Sequence, residues 1–253
     1  MTGDDHVLAR DLAGQAGQRL LELRAQGGDP DVLRKAGDRL SHEFLTAALA
    51  GQRPGDVVLS EEGADNPARL AARRVWIVDP LDGTREFGEP GRTDWAVHVA
   101  LWESDTKDLT AGAVALPAQG TVLSTAEPPP GPPGDAAAAP LRIVVSRSRP
   151  PSFVRNISGL INAELVPLGS AGAKVAAVIC GEVDAYVHGG GFYEWDTAAP
   201  VAVARAAGLH ASRIDGSGLA YNQPDLLMPD ILVCRPAVAG ILLRAIREVT
   251  HAS

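Results

Sequence analysis

The stretch EPPPGPPGDAAAAP, residues 127–140, does most to limit the folds open to this chain. Proline fixes φ and removes a backbone donor, so neither a helix interior nor a central strand can run through it. It marks a boundary between 1–140 and 141–253, and the two parts carry different rhythms. In the first part, Leu8, Leu12, Ala16 and Leu20 repeat every four residues, with Leu23 three further on. That spacing predicts an amphipathic helix, capped by Asp4 or Asp5 and stopped at Gly27–Gly28. A second helix is expected from about Ala36 to Ala50, with Leu40, Phe44 and Ala48 on its apolar face and Asp38 in its first turn. DVVLSEEG, VWIVDPLDG and TDWAVHVALW read as strands, the last half-buried because Trp95, Val97, Val99 and Leu101 alternate. Strands near 112–116 and 121–125 complete a mostly antiparallel sheet. In the second part, LRIVVS begins an alternation: helix 150–161, strand 164–168, helix 170–181, strand 183–187, helix 196–207, strand 230–234 and helix 236–250. Such alternation favours a layered α/β unit. The expected class is α/β: an α+β unit followed by an α/β unit.

Length and charge narrow the function. A chain of 253 residues holds one large domain or two small ones with ample core. A net charge of -8 makes a poor nucleic-acid surface, because phosphate backbones select clustered Lys and Arg. It is compatible with phosphate binding if cations neutralise the site. No apolar run approaches ~20 residues, so no membrane span is expected. MTGDDHVLAR lacks a basic segment followed by an apolar block, so no signal peptide is expected. The two cysteines, Cys180 and Cys234, fit a reduced, cytoplasmic protein better than a disulfide scaffold.

The chemistry concentrates at strand ends. The apolar run Val75–Val78 leads straight into Asp79, Pro80, Leu81, Asp82, Gly83 and Thr84. Two carboxylates so placed repel unless something positive sits between them. Glu61 and Glu62 end the preceding strand, and Asp196 of YEWDTAA opens a predicted helix after a Gly-rich loop. Each has a bland reading alone: Asp196 as an N-cap, the glutamates as a solvated loop, Asp79–Pro80 as a turn. Together, Asp79, Asp82 and the Leu81 carbonyl make an all-oxygen set that suits Mg²⁺. The absence of Cys and His nearby in sequence argues against zinc. No Gly-rich phosphate loop of the GxGxxG or GxxxxGK[ST] type is present.

DPLDGT, preceded by SEEG and followed by WDTAA, resembles the inositol monophosphatase superfamily of Mg²⁺-dependent, lithium-sensitive phosphatases. The resemblance covers nearly the whole chain. It implies a layered αβαβα sugar-phosphatase fold, with 1–140 as the metal-binding domain and 141–253 as its α/β partner. It implies Glu61, Asp79, the Leu81 carbonyl, Asp82 and Asp196 as ligands of two or three Mg²⁺ ions. Asp38 and Thr84 are implied as the pair that activates water, with Glu62 beside them. The N–H groups of Gly83 and Thr84 are expected at the phosphate.

Within the family the motifs resemble the branch acting on 3'(2'),5'-bisphosphate nucleotides. By that resemblance VVSRSR would bring Ser146, Arg147 and Arg149 toward the nucleoside, and GSAGAK would bring Gly169, Ser170 and Lys174 toward the second phosphate, with Asp196 also implied at the substrate. The bland readings are a solvated lysine for Lys174 and surface ion pairs for the arginines. The implied reaction removes the 3'-phosphate of adenosine 3',5'-bisphosphate to give AMP, and extends to 3'-phosphoadenylyl sulfate, in sulfate assimilation. The alternatives are a broad-specificity inositol monophosphatase, a fructose-1,6-bisphosphatase, and a non-catalytic metal or nucleotide sensor on the same fold. The expected partner is the small nucleotide, not nucleic acid or membrane. The resemblance leaves monomer and homodimer open.

Overall fold

The computed structural model describes residues 4–132, 140–148 and 150–251. Two long helices come first, α1 (Asp5–Ala25) and α2 (Pro30–Gln52). Asp4 caps α1, its carboxylate accepting from the His6 N–H, and Gly27 and Gly28 follow the helix with φ of 69° and 120°. Helix α2 begins earlier than its apolar spacing predicts. Asp29 accepts from the Asp31 and Val32 N–H groups and Pro30 occupies the first helical position, a strong start signal that the apolar pattern alone does not show. Asp38 therefore lies well inside the helix rather than in its first turn. The buried stripe is Leu33, Gly37, Ser41, Leu45 and Leu49, with Phe44 and Ala48 only partly covered beside it.

The first sheet runs in the order β1 (Val57–Ser60), β2 (Arg74–Asp82), β3 (Ala96–Glu103), β4 (Asp108–Leu116) and β5 (Thr121–Ser124). All neighbours are antiparallel except β1 and β2, which run parallel. A short helix α3 (Thr84–Gly88) follows β2. Strand β3 is buried on both faces, not one. Val97, Val99 and Leu101 face α1 and α2, while Ala96, Ala100 and Trp102 pack into the layer on the other side. Alternation identified the apolar face; the small alanines of the other face gave no such signal.

The second sheet has the order β10 (His210–Ser212), β12 (Ile231–Cys234), β8 (Ala185–His188), β6 (Arg142–Ser146) and β7 (Glu164–Leu168). Strand β6 is parallel to β7 and β8. Helices α5 (Ala171–Ile179) and α6 (Glu194–Ala206) lie between the sheets, in a shared apolar layer with Val75, Ile77, Val144 and Val233. Helices α4 (Ser152–Ile161) and α7 (Pro236–His251) cover the outer face through Val154, Ile157, Val238 and Leu242. The layers are thus αβαβα. Strands β9 (Phe192–Tyr193) and β11 (Leu227–Met228) form a small separate ribbon too short for a periodic signal. Among the described residues no helix is long and apolar enough to cross a membrane. Both cysteines are free, Cys234 buried and Cys180 exposed.

Candidate active site

Strand direction gathers the acids. Because β1 and β2 are parallel, their C-terminal ends lie on one sheet edge, with Ser60 opposite Val78. Glu61 therefore comes level with Asp79, and its N–H reaches the Val78 carbonyl. The β2–β3 register shifts between Asp79 and Asp82, where Pro80 interrupts the ladder. Asp79 Oδ1 accepts from the Leu81 N–H at 3.0 Å, which tightens the turn. Gly83 then takes φ of 83°, the left-handed conformation that suits glycine, and α3 begins. Asp196 arrives from the middle layer as the third residue of α6, and its carboxylate accepts from the Tyr193 N–H at 2.6 Å. It is the returning arm of a capping box and not the N-cap itself.

Asp79, Asp82 and Asp196 each place a carboxylate oxygen within 4.8 Å of the others. Their environments differ. Burial pushes the Asp79 carboxyl well above its usual range, and the charges of Glu61, Asp82 and Asp196 push it further. Burial and then Asp196 raise Glu61 to about 7. Burial and then Asp82 raise Asp196 to about 6. Burial would raise Asp82 too, but the charges of His98 and Lys174 and the hydrogen bonds from His98 and Ser170 prevail and hold it at about 2. Three crowded carboxylates with two forced upward have the donor chemistry of a hard cation site. The residues present therefore fit magnesium.

Asp82 and Asp196 line a cleft of about 660 Å³ together with Glu61, Gly83, Thr84, Ser146, Gly169, Ser170 and Lys174. Thr84 Oγ1 lies 3.2 Å from Asp38 Oδ1 and 3.0 Å from the Leu81 carbonyl oxygen. Asp38 and Thr84, implied as a pair, are thus in contact. Burial, then the charge of Glu62, raises Asp38 to about 6. Glu62 itself is exposed beside this pair.

Lys174 is not a solvated lysine. It is 6% exposed, with Nζ 2.6 Å from the Ser170 carbonyl and 5.3 Å from the Tyr186 ring centre. Burial lowers its pKa despite the acids around it. Arg147 does form ion pairs, with Glu86 at 2.7 Å and Glu89 at 3.0 Å. Arg149 lies outside the described residues.

Sequence reasoning missed His98. It is fully buried on β3, with Nε2 3.2 Å from Asp82 Oδ2 and Nδ1 3.1 Å from the Trp195 carbonyl. The absence of histidine near the acids holds along the sequence but not in space. One signal was readable: a lone imidazole in an apolar strand, between Ala96 and Ala100 on its own face.

Carboxylates gathered from two layers of an αβαβα fold beside a cleft define a candidate divalent-cation site. The chain matches the model of the inositol monophosphatase family over residues 11–251 and belongs to that family. It is 51% identical to the 3'-phosphoadenosine 5'-phosphate phosphatase of Mycobacterium leprae, across 97% of this chain and 94% of that one. The crystal structure of CysQ from Bacteroides thetaiotaomicron superposes with a TM-score of 0.78 at 29% identity, covering 91% of this chain and 97% of that one. Inositol monophosphatase II from Staphylococcus aureus MSSA476 shares the fold, with a TM-score of 0.83 at 21% identity over 97% of this chain and 96% of the other.

Proposed function

We propose that the protein hydrolyses the 3'-phosphate of adenosine 3',5'-bisphosphate to give AMP, using magnesium. The observation that carries the reading is the set of three carboxylates within 4.8 Å, two of which, Asp82 and Asp196, line a cleft. The substrate is supported by the activity in the name of the Mycobacterium leprae relative.

Glu61, Asp79, Asp82, Asp196 and the Leu81 carbonyl would hold the magnesium, two or three ions in all. Magnesium there supplies positive charge against the phosphate oxygens and makes water more acidic. The remaining steps belong to the chain. The Thr84 hydroxyl donates to Asp38 Oδ1, so its lone pairs are left to accept a proton from water in the cleft. Asp38, raised to about 6, has a basicity suited to receiving a proton near neutral pH. The N–H groups of Gly83 and Thr84 meet the phosphate oxygens at the start of α3. Lys174, anchored by the Ser170 carbonyl and lining the cleft, presents its ammonium to the second phosphate. Ser146 borders the space left for the nucleoside. The chemistry extends to 3'-phosphoadenylyl sulfate, which carries the same 3'-phosphate.

The test is a substrate panel. Phosphate release is measured in magnesium from adenosine 3',5'-bisphosphate, inositol 1-phosphate and fructose 1,6-bisphosphate. The expected result is the highest kcat/KM on the nucleotide, with AMP as product. A higher kcat/KM on either sugar phosphate overturns the substrate assignment.

A further inference from the structure

His98 occupies a position that core packing alone does not require. It sits on β3 between the sheet and the middle helical layer, fully buried. Its Nδ1 is 3.1 Å from the Trp195 carbonyl, an acceptor only, so that nitrogen carries a proton. Its Nε2 is buried and stands 3.2 Å from Asp82 Oδ2. The surroundings are hollowed out for the ring. A Cβ on Gly172 would lie 2.1 Å from Nε2, so only glycine at the start of α5 leaves room. The same Asp82 oxygen accepts from the Ser170 hydroxyl and, at 2.6 Å, from the Gly172 N–H. Three contacts thus converge on Asp82 Oδ2.

Trp195 immediately precedes Asp196. One ring therefore touches the carboxylate that β2 contributes and the backbone beside the carboxylate that α6 contributes.

We propose that His98 is a positioning residue: it spans from Asp82 on the sheet to the Trp195 carbonyl on α6, and so fixes the separation at which Asp82 and Asp196 share a cation. Packing of α6 on the sheet sets this distance only coarsely, because helix and strand are joined by side-chain contacts. A planar ring in contact at both ends sets it directly. The inference rests on the reading of the cluster as a magnesium site.

The experiment is calorimetric titration of the metal-free chain with Mg²⁺, for the wild type and three variants, with apo Tm and steady-state kinetics measured alongside. His98→Leu fills the space and breaks both contacts. His98→Gln places an amide nitrogen near the Nε2 position, and His98→Asn places one near Nδ1. Partners that orient ligating carboxylates are typically worth about 10–100-fold in metal affinity. His98→Leu is expected to weaken Mg²⁺ binding within that range, with the activity lost at low Mg²⁺ recovered largely by raising it. His98→Gln is expected to bind Mg²⁺ more tightly than His98→Asn, because it keeps the contact with Asp82. If His98→Leu lowers apo Tm while its Mg²⁺ affinity equals the wild type, the ring is packing only and the proposal fails. If His98→Leu does not fold, the other two variants decide: equal affinity in both overturns the proposal. A wild type that binds no Mg²⁺ overturns the metal reading itself, and this step with it.

Discussion

Asp79 and Asp82 lie three positions apart in one motif, yet the structure treats them oppositely. Asp82 Oδ2 takes the Ser170 hydroxyl, the Gly172 N–H and the close approach of His98. Asp79 is raised by burial and by the neighbouring acids. In the metal-free chain, charge on Asp79 is therefore unfavourable and charge on Asp82 is favourable. Asp79→Asn preserves the acceptor for the Leu81 N–H and removes a crowded charge, so apo Tm is expected to rise. Asp82→Asn leaves His98 and Lys174 short of a partner, so apo Tm is expected to fall. For a chain of this size, a change of 1 kcal/mol moves Tm by about 2–4 °C. Thermal unfolding in EDTA measures both. Turnover is expected to fall more than about tenfold in each variant, over ~1.4 kcal/mol of barrier. Shifts of the same sign in both variants would show that the two carboxylates share one environment.

Among the elements, α5 packs directly on the site. Its first turn supplies Gly172, and Ser170 precedes it with φ of 49°, an uncommon conformation for a non-glycine residue. Gly172→Ala forces a methyl group onto the His98 ring. The expected cost is about 1–3 kcal/mol of stability, as for overpacking elsewhere. Chemical denaturation measures it, and a cost near zero would mean that α5 can slide away from β3. The elements also show where sequence patterns carry. DPLDGT and WDTAA were legible because each packs its chemistry into a few adjacent residues. The long helices and central strands were legible from apolar spacing. Helix α2 was misplaced at its start because Asp29–Pro30 lies outside any apolar repeat. The second face of β3 went unread because alanine and histidine give no alternation, and His98 gains its meaning only when α6 and α5 close over it. Lys174 was singled out by the GSAGAK resemblance, but its burial beside the cleft shows only in the fold.

At the scale of the whole molecule, five layers bring acids from β1, β2 and α6 to one edge, and that edge carries uncompensated charge without a cation. Glu61 is raised to about 7, and Asp196 and Asp38 to about 6. Carboxyls whose folded pKa is raised hold more protons folded than unfolded between the two values. Their stabilising protonation is complete below about 4, the ordinary carboxyl range, and is lost as pH rises through about 6 to 7. Apo Tm is thus expected to fall as pH climbs from about 5 to 8, and added Mg²⁺ is expected to raise Tm more at the upper end. Scanning calorimetry across that range, with and without Mg²⁺, checks the sign. An apo Tm that rises over the same interval would mean that other groups dominate.

The proposed role of these carboxylates is to hold magnesium for phosphate ester hydrolysis. The most direct measurement is release of the 3'-phosphate from adenosine 3',5'-bisphosphate by the protein stripped with EDTA, then titrated with Mg²⁺. The expected result is negligible release in EDTA, recovery that saturates with Mg²⁺, and AMP as the product. Full activity in EDTA, or no phosphate release at any Mg²⁺ concentration, would contradict it.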